Sequence, residues 1–155
     1  MQIRWQTIAA TGLLFGVLTC GIFPLFGEDR QAKASVKLNP GAVEFAKQLI
    51  EQRRFVADRK GAWREHRPSD TAQNEFIRFH GFAEYAKWHL GIDEHHPENT
   101  KARYKFPFGD FQSVHRCGLL AVESRARQFG YLEIEKTAHD LERAIQTEAA
   151  TQPTR

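Results

Sequence analysis

Residues 76–88 read FIRFHGFAEYAKW, and every third position in this stretch carries an aromatic side chain. An α-helix turns about 100° per residue, so a step of three residues slips backward by about 60° and the aromatic side chains spiral around the helix. A helix that is apolar on two sides either lies at the centre of its own domain or buries its second side against a partner. The pattern therefore predicts a helix that organises the fold.

The residues around this stretch indicate where the helix begins and ends. The sequence PSD at 68–70 opens it, and Asp70 with Gln73 has the spacing of a capping box, with Asp in place of the usual Ser or Thr. Gly91 is a candidate C-terminal stop, because glycine adopts the left-handed conformation at little cost. Gly81 lies inside the segment and is expected to divide it into two shorter helices.

An earlier helix is predicted from the dipeptide Asn39-Pro40. Asparagine is a good N-cap and proline is favoured at the first helical position. Apolar residues follow at near-helical spacing, and this helix should fade by Gly61.

Two more helices are predicted in the last third of the chain. One begins near Asp110 or Ser113 and ends at Gly130, and the other begins at about Leu132. No segment shows a convincing strand pattern, and residues 91–110 form the longest irregular stretch. The sequence therefore predicts an all-α fold, a small bundle of about four helices.

The first 34 residues are predicted to be a signal peptide or an N-terminal membrane anchor. No charged residue occurs between Arg4 and Glu28, and about 20 mainly apolar residues suffice to cross a bilayer. The length of this run favours an anchor, whereas the AKA pattern at 32–34 and the helix-ending Pro24 favour cleavage. Both alternatives place the remaining chain outside the cytoplasm, either secreted or anchored in the inner membrane and facing the periplasm or the outside. The predicted parts are a leader at 1–34, a helical domain at 35–148 and a frayed tail at 149–155.

Composition excludes several classes of protein. The chain has 155 residues, two cysteines and a formal net charge of +3, so a disulfide-dense scaffold and a four-cysteine zinc site are excluded. The nearly balanced charge argues against nucleic-acid binding, which stays an alternative only if the leader is misread. A solvated face or a contact with anionic lipid is the simpler explanation of the basic residues near Trp63. These are Arg53, Arg54, Arg59, Lys60, Arg64 and Arg67.

Local signatures of catalysis are missing from the sequence. There is no P-loop, no dinucleotide-binding glycine motif, no nucleophile elbow, no zinc-protease motif and no haem attachment motif. We therefore predict no catalytic residue and no cofactor, and an enzyme is disfavoured without being excluded.

The best metal candidate in the sequence is the group His89, Asp93 and His95, with His96 beside it. Imidazole and carboxylate groups are suitable ligands for a divalent ion. The alternative is a solvated polar loop, with His89 near a helix C-terminus where a cation is mildly favourable. Because the spacing matches no established ligand pattern, metal binding or a metal-dependent activity is the second hypothesis.

His115 and Cys117 suggest a thiol–imidazole pair. On a regular helix, however, positions i and i+2 point about 200° apart and their side chains cannot meet. A buried free cysteine is therefore the preferred interpretation of Cys117.

Three stretches of the chain resemble small bacterial proteins of unassigned function. They are GFAEYAKWHLG at 81–91, KFPFGDF at 105–111 and VHRCGLLA at 114–121. The resemblance would cover roughly residues 38–145. It implies a self-standing domain, and it carries no activity, cofactor or site residue.

Together these patterns predict an exported or membrane-anchored helical protein that binds a protein partner rather than catalysing a reaction. The membrane is a second partner through the N-terminal segment, and no nucleic acid is expected. Amphipathic aromatic residues are common anchors of protein interfaces. The predicted partner-binding residues are Ile77, Tyr85, Trp88, Phe106 and Phe108.

Overall fold

The computed structural model of the protein describes residues 36–151, which form five helices and five short strands. The strands are β1 Val36–Leu38, β2 Phe55–Val56, β3 His89–Asp93, β4 Tyr104–Pro107 and β5 Val114–His115. The helices are α1 Pro40–Glu51, α2 Trp63–His66, α3 Asp70–Ala86, α4 Arg116–Phe129 and α5 Leu132–Ala150, and a 3-10 turn at Lys101–Arg103 precedes β4.

The fold is mixed α/β, so the predicted all-α bundle of about four helices is wrong. Strands β1, β3 and β4 form an antiparallel sheet with β3 in the centre, and β2 pairs with β5 in a parallel two-stranded ribbon. The strands are only two to five residues long. Such short segments do not repeat a two-residue alternation often enough to be distinguished from helix by pattern alone.

The central strand β3 lies where the sequence predicts the end of a helix. Leu90 is fully buried there. A Cβ atom at Gly91 would lie 2.7 Å from both Phe106 Cδ2 and Val36 Cγ1. Glycine at this position therefore allows side chains of the flanking strands to approach closely. The predicted helix stop at Gly91 is wrong, and α3 ends at Ala86.

Several helix boundaries agree with the prediction. The Asn39 side chain caps α1 by accepting a hydrogen bond from the Ala42 backbone N–H at 3.4 Å, and Pro40 takes the first helical position. Gly130 ends α4 in the left-handed conformation, with φ 75°, and α5 begins at Leu132.

Other boundaries differ from the prediction. Helix α1 ends at Glu51, ten residues before Gly61. The N-cap of α3 is Ser69 rather than Asp70. Helix α4 begins only at Arg116, because the residues just before it form β5.

The aromatic spiral, which is the set of aromatic residues at every third position of 76–88, has members both in the core and on the surface. Gly81 interrupts α3 with φ 79° and ψ 172°, as predicted. Tyr85 and Trp88 are only 2% and 3% exposed, whereas Phe79 is 68% exposed. The Trp88 ring packs edge-on against Phe45 of α1, with 5.1 Å between ring centroids.

The core lies between the three-stranded sheet and helices α1, α4 and α5. The Asn39 amide connects two of these layers, because its Nδ2 donates to the carbonyl oxygens of Ala86 at 2.9 Å and His89 at 3.0 Å. These bonds hold the start of α1 against the turn between α3 and β3. Helix α2 and the β2–β5 ribbon pack against α4 on the side where the candidate site lies.

The predicted leader at 1–34 lies outside the described residues, as do the last four residues of the predicted tail. Among residues 36–151, no helix combines the length and apolar character needed to cross a bilayer. Export, anchoring and cleavage therefore stay predictions.

Replacing buried and exposed members of the aromatic spiral should have different effects on stability. We expect Trp88→Ala to lower the free energy of unfolding by about 3–5 kcal/mol, because it removes a buried indole and leaves a cavity. Phe79→Ala should change it by less than about 0.5 kcal/mol. Urea titrations of both variants measure the difference, and equal losses would contradict the assignment of Trp88 to the core.

Candidate metal centre

The parallel ribbon brings together two residues that are far apart in the sequence. Val56 pairs with His115 in this ribbon. Two residues after this pair, the chain places Asp58 next to Cys117 at the start of α4. The Cys117 backbone N–H donates to Asp58 Oδ1 at 2.6 Å. Asp58 thus supplies a carboxylate to the N-terminus of α4, whose own N-cap residue makes no side-chain cap.

Two histidines complete the cluster. His115 is the last residue of β5, and His66 is the last residue of the single-turn helix α2. Their rings lie 4.8 Å apart between centroids. One ligand atom each from Asp58, His66, His115 and Cys117 lies within 4.8 Å of the other three. Within residues 36–151, no other group of three or more potential ligands gathers in this way.

One carboxylate oxygen receives three potential donors. Asp58 Oδ2 lies 2.7 Å from His66 Nδ1, 2.7 Å from His115 Nδ1 and 3.0 Å from Cys117 Sγ. A carboxylate oxygen offers about two lone-pair directions. More donors therefore converge on Asp58 Oδ2 than it can accept in good geometry. A cation, in contrast, could be bound by this oxygen, the two Nδ1 atoms and the Cys117 sulfur together.

The cluster changes the acidity of its two acidic members in opposite directions. Burial favours the protonated form of Asp58, but hydrogen bonds from Cys117, His115 and His66 outweigh it and lower the pKa of this carboxyl to about 2. Burial raises the pKa of Cys117 to about 12, and the Asp58 carboxylate adds to this effect. At neutral pH the carboxyl group is therefore ionised and the thiol is protonated.

A second carboxylate lies on the far side of the His115 ring. His115 Nε2 is buried and makes no hydrogen bond of good geometry within the described residues. Asp110 Oδ2 lies 3.3 Å from it. The other Asp110 oxygen, Oδ1, accepts backbone N–H bonds from Gln112 at 2.9 Å and Ser113 at 2.7 Å, which fix the carboxylate in this position.

Arg116 ties the cluster to α5. Its Nε donates to Glu142 Oε1 at 2.7 Å, and its Nη1 donates to the Asp58 carbonyl oxygen at 3.2 Å. Glu142 is only 4% exposed, so this carboxylate is buried, and the half-buried Arg116 supplies its counter-charge. The loop that carries Asp58 is therefore held from both its backbone and its side chain.

The predicted partner-binding residues do not form an exposed surface. Tyr85, Trp88 and Phe108 are buried in the core, and Ile77 and Phe106 are half-buried. The Tyr85 hydroxyl donates to Gln73 Oε1 at 2.7 Å. Three of the five side chains thus serve internal packing, and a protein partner stays a prediction without an assigned surface.

The predicted metal group His89, Asp93 and His95 is not gathered around one point. His89 is buried at the start of β3, and its Nδ1 lies 2.9 Å from the Tyr85 carbonyl oxygen. Asp93 Oδ2 lies 3.2 Å from His96 Nδ1 and 3.9 Å from Lys105 Nζ. His95 is exposed. The structure therefore gives His89 a core position and Asp93 a cationic neighbour.

Sequence reasoning missed Asp58 and His66 and set aside the pair His115 and Cys117. The objection to that pair assumes a regular helix, but His115 ends a strand and Cys117 lies in the first turn of α4. A spacing of two residues places side chains on one face of extended backbone. The two-residue spacing of His115 and Cys117 is therefore the sequence signal for this pair. No local pattern connects the pair to Asp58.

Comparisons with known proteins do not add a function. No protein-family model, curated protein or solved structure matches the chain. The chemistry of the cluster is therefore the main guide to what the protein binds.

The buried His89 should make the domain sensitive to mild acid. Burial lowers its pKa to about 4, from 6.5 in an exposed chain. As pH falls from 6.5 towards 4, the unfolded chain takes up a proton that the folded one does not, so the folded state should lose about 3 kcal/mol. We expect His89→Gln to flatten this slope, because glutamine keeps an N–H for the Tyr85 carbonyl.

The control for this prediction is His80→Gln, which alters an exposed imidazole. It should retain the pH slope of the parent protein. Denaturant titrations between pH 4 and pH 7 give the slopes, and identical slopes for parent and His89→Gln would contradict the assignment.

Proposed function

We propose that the protein binds one zinc ion through Asp58 Oδ2, His66 Nδ1, His115 Nδ1 and Cys117 Sγ. The observation that carries this proposal is the convergence of four ligand atoms of the right types within 4.8 Å. Imidazole nitrogen, thiolate sulfur and carboxylate oxygen are all established zinc ligands. The proposed function is therefore metal binding at a site different from the one that the sequence suggests.

The distances fit this proposal with small adjustments. A tetrahedral zinc site with ligands about 2.0–2.3 Å from the ion has ligand atoms roughly 3.3–3.8 Å apart. The measured separations include 2.7 Å between Asp58 Oδ2 and each Nδ1 atom, and 3.6 Å between Cys117 Sγ and His66 Nδ1. The closest ligand atoms therefore need to move apart by less than about 1 Å, and any pair near the 4.8 Å limit needs to approach by about 1 Å.

The charge of the donor set also favours zinc. One thiolate and one carboxylate balance the two positive charges of the ion, and the neutral imidazoles add none. A buried site with no net charge avoids most of the cost of burying charge. Burial and the Asp58 carboxylate raise the pKa of the Cys117 thiol to about 12, so the thiol does not ionise by itself at neutral pH. The bound ion would supply the positive charge that stabilises the thiolate.

We assign the ion a structural role. Four protein ligands fill a tetrahedral shell, whereas catalytic zinc sites keep one position for water or substrate. The ligands come from the loop after β2, from α2 and from the junction of β5 with α4. The ion would fasten residues 58–66 to the start of α4.

The same cluster is a poor candidate for cysteine catalysis. A nucleophilic cysteine needs a lowered pKa, but the pKa of Cys117 is raised by burial and by Asp58. The thiol also lies closer to the Asp58 carboxylate, at 3.0 Å, than to the His66 imidazole, at 3.6 Å. For metal binding the Asp58 carboxylate is itself a ligand, and the ion would offset its repulsion of the thiolate.

Cobalt substitution tests the ligand set directly. We expect the purified full-length chain to take up one equivalent of Co²⁺, with strong visible absorption from tetrahedral geometry and a thiolate-to-cobalt charge-transfer band. Zinc should displace it and raise the melting temperature, because an ion that binds only the folded state stabilises it. Cys117→Ala should abolish the charge-transfer band.

The matched control is His95→Gln, which alters a residue of the sequence-predicted metal group and should leave both bands intact. Uptake that survives Cys117→Ala unchanged, or a purified chain that binds no stoichiometric zinc or cobalt, would overturn the proposal.

Asp110 should orient His115 without contacting the ion. A ligating histidine usually donates its other N–H to a carboxylate, and loss of that partner costs about 10–100-fold in metal affinity. Asp110→Asn keeps the Oδ1 acceptor for Gln112 and Ser113 and removes the charge beside His115 Nε2. We expect zinc affinity, measured by chelator competition, to fall within that range.

Asp140→Asn serves as the control, because it removes an exposed carboxylate on α5 that faces only Lys136, at 3.7 Å. Equal zinc affinity in the two variants would remove Asp110 from the site.

A further inference from the structure

We infer that the protein has a second binding site, a cationic aromatic cavity that takes a small organic carboxylate with a flat apolar body. The cavity has a volume of about 660 Å³ and is partly open to solvent. Volumes of about 300–1,000 Å³ are typical of small-molecule sites. It lies between the edge of the three-stranded sheet and α4, with Trp63 of α2 in its wall.

The walls are apolar and largely aromatic. Phe106, Phe129 and Trp63 line the cavity together with Val122. Tyr131 also lines it, with its ring centroid 5.7 Å from that of Phe106 and 6.4 Å from that of Phe129. Aromatic walls of this kind favour a flat apolar ligand, because rings stack or pack edge to face.

Phe106 is held in an unusual backbone conformation at this wall. Its φ angle is 62°, in the left-handed region that bulky side chains rarely adopt. Such conformations are strained and concentrate at ligand sites. In this conformation the Phe106 side chain lines the cavity and packs against Tyr131.

The charges in the cavity favour an anion. Three cationic side chains line it, Arg67, Lys105 and Arg125, against the single carboxylate of Asp93. Asp93 is already close to Lys105 and to His96, at 3.9 Å and 3.2 Å. The cavity therefore carries more positive than negative charge.

The two arginines are available to a ligand. Within residues 36–151, no carboxylate lies within 4 Å of either guanidinium; Arg125 lies 4.6 Å over the Phe129 ring and donates to Gln128. A guanidinium presents paired N–H donors that match a carboxylate. An arginine stacked on an aromatic wall can hold the carboxylate while the ring contacts the apolar body. Arg67, one of the basic residues considered above for nucleic acid, supplies the second cation.

The test compares 2-naphthoate with its neutral amide, 2-naphthamide, by calorimetric titration of the full-length chain. We expect the acid to bind at least about tenfold more tightly than the amide, since only the acid makes charge-assisted hydrogen bonds with the guanidinium groups. Arg125→Gln and Arg67→Gln should each weaken the acid about tenfold and leave the amide unchanged. Neither change is expected to unfold the domain, because both side chains are exposed.

The matched control is Arg78→Gln, because Arg78 also covers a phenylalanine, Phe79 at 4.2 Å, but lies outside the cavity. This variant should bind the acid like the parent. Equal affinity for acid and amide would show a merely hydrophobic cavity and overturn the inference. No binding of the acid, or full binding after both arginine changes, would overturn it as well.

Discussion

The carboxylate of Asp58 is the group on which the β2–α2 loop and the start of α4 depend. It accepts from the Cys117 backbone N–H at 2.6 Å and lies within 3.0 Å of His66, His115 and the Cys117 thiol. Its partners come from α2, eight residues along the chain, and from the junction of β5 and α4, 57 and 59 residues along the chain. A buried ionised group needs such compensation, because an unpaired charge in the interior costs several kcal/mol. The local geometry of the loop is thus set by the need to satisfy one side chain.

This constraint explains why a two-residue parallel ribbon persists at the side of the fold. Alone, the pairing of Phe55–Val56 with Val114–His115 supplies too few backbone bonds to be stable. Arg54 extends it, since its carbonyl accepts from Val114 N–H at 3.0 Å and its guanidinium donates to the Gln112 carbonyl oxygen. The ribbon, the Asp58 contacts and the Arg116–Glu142 pair therefore support one another, as expected for a connected polar network.

Sequence reasoning succeeded where the signal is local and chemical. Asn39, Gly81 and Gly130 act through their own side chain or backbone freedom, and each takes the predicted role. It failed where tertiary packing decides the secondary structure. Gly91 is a residue type that commonly ends a helix, but it lies in a central strand because Val36 and Phe106 pack against it. The cluster was missed for the same reason, because its members meet only when β2, α2, β5 and α4 pack together, which no short pattern encodes.

Trp63 lies next to both candidate sites. Its ring lies 6.2 Å from that of His115, and a Cβ atom at Gly118 would approach it to 3.0 Å, so the indole is packed close to α4. Trp63 also lines the cavity, together with Arg67 and Arg125, whereas none of the four cluster residues lines it. The donor sets differ as well: the cluster offers anionic and neutral ligands for a cation, whereas the cavity offers guanidinium groups for an anion. Two neighbouring sites with opposite electrostatic character thus share one indole.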